Sequence, residues 1–517
     1  MPDGQNFRMP VSTRSPLIGD AGAILLIIVA TVLLRLTSFV PAVVDTDEGL
    51  YLVQAREWLN GGWPLVAAWD MHPIGAPAMF ALAFLAFGVS VESVRLLGMI
   101  CVAATGCALY GAARAAGAPR RVGMGAAVIY AALSVLLGGL CTNTEILIAP
   151  FVAATMALAI RGAAQAVGPT PRAPGWPSLV AMGLLIGCAL VVKQVVVPEG
   201  SLAFLILVLP ALLRGVLPWR RAALMALAYA GLCAFPFILA GFVYWTQGWL
   251  DQYLDGSLMA PFRYSLERIE GPEAARRIGA AALQLGLAFA AALVAVLAWR
   301  PRWAPGPIVL LTGAAVVWFA IASAAIAGPG FFFAHYFLLW LPPLALLGSI
   351  GAWWIAAALA RPERARIAFM AAVGVIAAQA WLVEATGRLE RGPGLMHRDP
   401  VREVSAKVAE AAGPGGDAFI ANYHPSVYVI SDARLSTRFP FPAHLTGVFE
   451  DLSDTSTEAE LVRVLASRPR VIVVDRGWMH TMRPAAAAQV MAAVEQGYDL
   501  FATVAEYRGP VEIYRAR

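Results

Sequence analysis

Long stretches without a single charge recur along the first three quarters of this chain, and that recurrence restricts where the polypeptide can fold. The core of the first, 24–34, is uncharged throughout. Stretches approaching roughly 20 apolar residues are long enough to cross a hydrocarbon core. They repeat over about 370 residues, which a single cleaved signal segment does not account for. Composition agrees. Of the 517 residues, 59% are hydrophobic and 14% charged, against about 25% charged in soluble domains, and the mean hydropathy is +0.69. The net charge of +5 is modest and the arginines are scattered over short loops. That is a membrane-orientation pattern, not a nucleic-acid surface. Cys101, Cys107, Cys141, Cys188 and Cys233 lie in or beside apolar runs with no CxxC or Cys/His spacing, so neither a disulfide framework nor a zinc site is expected.

The runs predict about eleven spans, near 19–40, 92–112, 122–140, 146–160, 177–192, 195–213, 222–246, 278–299, 306–327, 335–357 and 367–386. Alternate connections are rich in arginine: Arg8 and Arg14; Arg114, Arg120 and Arg121; Arg161 and Arg172; Arg214, Arg220 and Arg221; Arg300 and Arg302; Arg361, Arg364 and Arg366. Short cytoplasmic loops concentrate Lys and Arg, so these belong inside. The apolar run 73–88 would break the alternation if it crossed. It is short and holds two prolines, and is read as a helix at the outer interface. The other side then receives 44–92, 142–145, 193–199, 248–277, 328–335 and the tail beyond about 386. The expected fold class is mostly α: a polytopic transmembrane helical bundle with an interfacial helix in the first outer loop and a small C-terminal α/β extracytoplasmic domain. The expected division is 1–18 cytoplasmic, 19–387 transmembrane and 388–517 extracytoplasmic, in a multi-pass protein of a bacterial inner membrane. In the tail, 418–420, 427–430, 471–474 and 511–514 read as strands, and 457–467 and 485–495 as helices.

The chemistry-bearing residues gather on that outer side. Asp45, Asp47 and Glu48 directly follow the first span. Carboxylates at a membrane boundary are partly desolvated, which raises their basicity and suits them to deprotonate an attacking hydroxyl. The bland alternative is that they only cap the following helix. Glu145 lies between two spans and is either functional or a solvated loop tip. Lys193 and Gln194 lie between two apolar runs. Lys193 either neutralises a lipid phosphate or snorkels to the interface. His335 and Tyr336 follow three phenylalanines; both donate to phosphate oxygens or form part of an aromatic belt. Arg263 and Tyr264, in the longest mid-chain outer loop, are further candidates for substrate contact.

At Asp47-Glu48-Gly49 with Tyr51, Ala55-Arg56 with Leu59, Gly62 and Pro64, His72-Pro73 with Gly75, Phe87-Gly88, and Arg95-Leu96, the chain resembles the glycosyltransferases of the C superfamily. The branch is the one related to protein mannosyltransferases and lipid A aminoarabinose transferases. The resemblance spans about residues 20–360 and is strongest over 45–100. It implies Asp47 as the catalytic base with Glu48 beside it, Glu145 as the acid of the second outer loop, and Lys193-Gln194 near the donor phosphate. His335-Tyr336, before Leu341-Pro342-Pro343, resembles a late family stretch. Many relatives carry Lys-Pro-Pro-Gly where this chain has His72-Pro73-Ile74-Gly75, which moves part of a phosphate-contacting role to His72. The implied reaction moves a monosaccharide from a polyprenyl-phosphate carrier to a hydroxyl of a glycan, lipid or protein acceptor, with inversion. No cofactor or obligatory metal is expected, although the carboxylates could take a divalent ion. The alternative reading is a transporter or flippase for a lipid-linked or acidic substrate. Against it, the polar residues gather at one face instead of mid-membrane.

Overall fold

The computed structural model describes residues 19–266, 268–299, 306–361, 363–392 and 397–517. The segment 1–18 with Arg8 and Arg14, and the loop residues Arg300 and Arg302, lie outside the described residues. Among the described residues, eight helices are long and apolar enough to cross a membrane by length and composition: Asp20–Phe39, Val91–Ala115, Thr144–Val167, Gln194–Leu213, Trp219–Thr246, Gly306–Ala327, Ala334–Leu359 and Ala365–Glu390. A ninth is counted if Gly271–Gln284 and Gly286–Leu297 form one span, but these two meet at 84°. The span expected at 278–299 is thus a bent pair of helices, a broken or re-entrant passage. A glycine stands at the break, where Gln379 Nε2 donates to the Gln284 carbonyl at 3.0 Å and so satisfies a group freed by the bend. The expected spans at 122–140 and 177–192 are helices of 14 and 17 residues, Arg120–Leu133 and Trp176–Val192. The first stops at Leu133 because Arg35 takes over its end: Nη1 donates to the Ser134 carbonyl at 2.9 Å and Nη2 to the Leu140 carbonyl at 3.2 Å.

The run 73–88 forms the helix Gly75–Phe87, 13 residues long. At 1.5 Å per residue it reaches about 20 Å, short of the roughly 30 Å hydrocarbon core. Its first residue packs backbone to backbone. A Cβ on Gly75 would meet the Val191 carbonyl oxygen at 2.6 Å, so the glycine lets this helix lie against the end of Trp176–Val192.

The tail folds as a five-stranded sheet: β1 (Asp417–Ile420), β2 (Arg434–Leu435), β3 (Val471–Asp475), β4 (Tyr498–Glu506) and β5 (Gly509–Ala516), in the order β2-β1-β3-β5-β4. β1 runs parallel to β2 and β3, while β5 lies antiparallel between β3 and β4. Helices Thr457–Ala466 and Pro484–Gly497 stand where expected. The predicted strand at 427–430 is instead the short helix Ser426–Ile430. It is preceded by Pro425 and packs on the helix Thr46–Leu59, so tertiary contact overrides a β-branched composition.

Thr46–Leu59 is thus held between the bundle and the sheet domain. Arg56 donates to the carbonyls of Tyr428 and Ala433, at 2.5 and 3.0 Å. Trp69 N–H donates to the Arg438 carbonyl at 2.6 Å, and Arg438 returns a bond to the Leu65 carbonyl at 3.0 Å. Asp399, N-cap of the helix Pro400–Ala412, accepts from the Ala42 N–H at 2.7 Å. A Cβ on Gly49 would meet the Ser426 nitrogen at 2.8 Å, so the contact needs a glycine there.

Candidate active site

The site is assembled at the start of Thr46–Leu59. Asp45 caps this helix from an extended conformation. One of its oxygens accepts from Asp47 N–H at 3.1 Å, and the other lies 3.0 Å from His335 Nδ1. The opposite ring nitrogen, Nε2, is 3.6 Å from Asp47 Oδ2. A single imidazole therefore bridges two carboxylates that lie about 290 residues away in the chain. Asp47 keeps 32% of its side chain open inside a recess crowded by protein. Burial there opposes its charge and the Asp45 carboxylate adds to that, outweighing His335, His72 and Lys193, so its carboxyl is pushed up to about 6. Burial acts against Asp45 too, but the charge and hydrogen bond of His335 outweigh it and hold Asp45 down at about 2.

Beside this cluster Lys193 Nζ lies 2.6 Å from Glu145 Oε1, both side chains buried, with Thr144 Oγ1 donating to the other Glu145 oxygen at 3.1 Å. The same ammonium sits 4.8 Å from the centre of the Tyr336 ring. Gln194 Nε2 donates to the Ser257 carbonyl. His72 Nδ1 is 2.9 Å from Asp70 Oδ2, and its ring meets the edge of Tyr51 at 6.3 Å between centroids.

A cavity of about 420 Å³ opens from this end. His72, Lys193, Gln194, Tyr264 and Tyr336 line its polar part, and Val195, Pro198, Leu258, Phe262, Ala324 and Ala325 its apolar part. Tyr264 stacks on Phe331 with centroids 4.4 Å apart, and its hydroxyl is 3.5 Å from that of Tyr336. The arrangement matches what an amphipathic ligand with one anionic end requires: donors at one end and a greasy wall at the other.

Several sequence candidates meet here and others do not. Asp47, Glu145, Lys193, His335, Tyr336, His72, Gln194 and Tyr264 border one region, and Tyr51 packs beneath it. Glu48 is taken up elsewhere. Its Oε2 lies 2.5 Å from Arg95 Nη2 and its Oε1 accepts from Thr142 N–H at 2.7 Å, both side chains fully buried. It fastens the helix start to the Val91–Ala115 helix and has no free oxygen to accept a proton. Arg263 pairs with Asp255 at 2.7 Å and donates to the Leu452 carbonyl at 2.8 Å, joining the bundle to the sheet domain instead of facing the cavity. Asp45 has no role of its own in the sequence, apart from standing with Asp47 and Glu48, and Asp70 is not singled out there, although each fixes a histidine. Their only sequence signal was proximity to Asp47 and His72. His424, 3.3 Å from the Thr46 hydroxyl, was also missed. Burial holds it at about 4, which leaves it neutral near pH 7.

Asp45, Asp47 and His335 offer ligand atoms within 4.8 Å of one another. Two carboxylates and an imidazole form a donor set suited to a divalent cation.

Residues 71–239 match the family model described as dolichyl-phosphate-mannose-protein mannosyltransferase. The structure is similar to ArnT from Cupriavidus metallidurans in the apo state, with 16% identity, a TM-score of 0.60, and coverage of 95% of this chain and 98% of that one. It is similar also to that enzyme bound to undecaprenyl phosphate, with a TM-score of 0.59. The archaeal oligosaccharyltransferase AglB from Archaeoglobus fulgidus, in complex with an inhibitory peptide and a dolichol-phosphate, matches with 12% identity and a TM-score of 0.52. That match covers 96% of this chain and 74% of AglB. A comparison with curated protein sequences finds no match.

Proposed function

Since the chain has the fold of the C-superfamily membrane glycosyltransferases, we propose that it transfers a monosaccharide from a polyprenyl-phosphate carrier to an acceptor hydroxyl. The observation that carries this reading is that the donor-lined, greasy-walled cavity adjoins the Asp45–His335–Asp47 cluster through Tyr336, whose ring centroid lies 4.9 Å from that of His335. The carrier's phosphate sits by Lys193, His72 and the two tyrosine hydroxyls, and its isoprenoid chain follows the apolar wall. Lys193 spends one of its three N–H donors on Glu145 and keeps the others for phosphate oxygens. The binding of undecaprenyl phosphate by ArnT and of a dolichol-phosphate by AglB supports this class of donor.

Asp47, ionised above about pH 6, takes the proton of the acceptor hydroxyl as its oxygen attacks the anomeric carbon. The bond from that carbon to the phosphate oxygen breaks, and the electron pair leaves with the carrier phosphate. One displacement inverts the configuration. Phosphate is already a fair leaving group, so the protein's work is to position both partners and stabilise the growing negative charge. His335, held by Asp45, orients the Asp47 carboxylate. No step passes through a metal. The site lies on the extracytoplasmic face, in keeping with the arginine-rich loops that alternate with its own segments.

The deciding assay follows radiolabelled sugar from carrier lipid into acceptor in membranes holding wild-type chain or Asp47→Asn. The expected fall in transfer is about 100-fold or more. Wild-type transfer by Asp47→Asn at equal membrane content would sink the assignment of the base. Absence of carrier-dependent transfer by the wild type, across donor sugars, would sink the reaction itself.

A further inference from the structure

At the far end of the bundle, helices Asp20–Arg35 and Ala365–Arg391 each pack on Arg120–Leu133 and leave a cavity of about 420 Å³ between them. Val91–Ala115 gives the distance from the site. Its Arg95 holds Glu48, and the helix carries Arg114, 19 residues on, about 28 Å away. The cavity walls are Ala23, Met124, Val128, Phe369, Met370 and Val373, and three guanidinium groups, of Arg120, Arg121 and Arg366, line it. The flanks are apolar and open: Ile24 is 40% exposed, Ile367 64% and Met370 52%, as expected of surface facing acyl chains.

Among the described residues the charges do not balance at this cavity. Asp20 answers Arg120 at 3.0 Å and Arg114 at 3.9 Å, and Tyr110 also donates to it. Arg121 and Arg366 form no ion pair among the described residues, and Arg366 brings its like charge close to Arg121. Arg121 Nε is buried without a hydrogen-bond partner among the described residues. Two like charges turned on one greasy cavity call for an anion, and an apolar tail attached to that anion would fill the rest.

We propose that this cavity is a binding site for an anionic phospholipid, with its phosphate between Arg121 and Arg366 and an acyl chain against Phe369 and Val373. Basic pockets between spans hold such headgroups. The site is separate from the donor cavity and stands whether or not the chain is a glycosyltransferase.

The test titrates the detergent-purified chain with dioleoyl phosphatidylglycerol, dioleoyl phosphatidylcholine and inorganic phosphate, and reads bound lipid by native mass spectrometry. Phosphatidylglycerol is expected to be retained over phosphatidylcholine, and millimolar phosphate not to displace it. R121Q/R366Q should weaken retention roughly thirtyfold, at about 1 kcal/mol for each arginine lost. Gly374→Leu supplies a variant that keeps both arginines. Gly374 lines the cavity and a Cβ there meets no atom within 4 Å, so a leucine that takes up part of this space should also weaken retention. Phosphatidylglycerol held equally by the wild type and Gly374→Leu, phosphatidylcholine held as tightly as phosphatidylglycerol, or displacement by free phosphate would each overturn the proposal. Equal retention by R121Q/R366Q at an unchanged Tm would do the same. If R121Q/R366Q does not fold, the glycine variant and the competition arms decide.

Discussion

Asp47 must be ionised to accept a proton, and its carboxyl is pushed up to about 6 by burial and by Asp45. The ionised fraction therefore shrinks as pH falls through 6. Carrier-dependent transfer should decline about tenfold for each unit below that value and level off above it. A pH profile of kcat checks this, and the acid limb should be gone from the residual activity of Asp47→Asn. His335→Gln should lower kcat more than KM, since it removes the bridge that orients Asp47 while leaving the cavity open. The three potential metal ligands allow a further check. EDTA should leave transfer unchanged. A loss restored by Mn²⁺ would instead make Asp45, Asp47 and His335 a metal site. Sequence spacing pointed to the loop that carries Asp47 but not to its partners. Asp45 and His335 are about 290 residues apart, and a pairing over that distance leaves no local signal. Glu48 and Arg95 both stood in the family-like stretch, yet only the fold shows them consuming each other.

Helices, as elements, were the readable part, because an uncharged run fixes both its type and its environment. Their ends were less so. The run 122–140 continues past Leu133 in composition, but Arg35, from another helix, takes the Ser134 carbonyl, and Leu137 and Gly138 turn the chain through left-handed backbone. The sheet domain was partly readable. β3 and β5 carry dense apolar patterns, whereas β4 has a largely exposed pattern and β2 just two residues. Gly49 and Gly75 owe their identity to close approach between elements, a cause hidden from the sequence. Replacing Gly75 by Val should force Gly75–Phe87 off Trp176–Val192 and lower Tm, whereas Gly271→Ala, which meets open space, should not; thermal melts in detergent compare the two. Arg95→Met would leave Glu48 buried without its partner, at a cost of about 3–5 kcal/mol.

Over the whole molecule the helix Thr46–Leu59 is the middle layer of a three-part stack, with spans on one side and the sheet domain on the other. Arg56→Ala removes two bonds to that domain and should speed its release by limited proteolysis, with a matching fall in transfer if docking shapes the site. β5 comes last of the five strands in chain order yet lies inside the sheet, with β3 and β4 as neighbours. During synthesis the spans enter the bilayer before that strand exists. The domain that rests on Thr46–Leu59 can therefore complete its sheet only after the bundle is threaded. Until then β3 keeps an open edge and β4 has no strand to pair with.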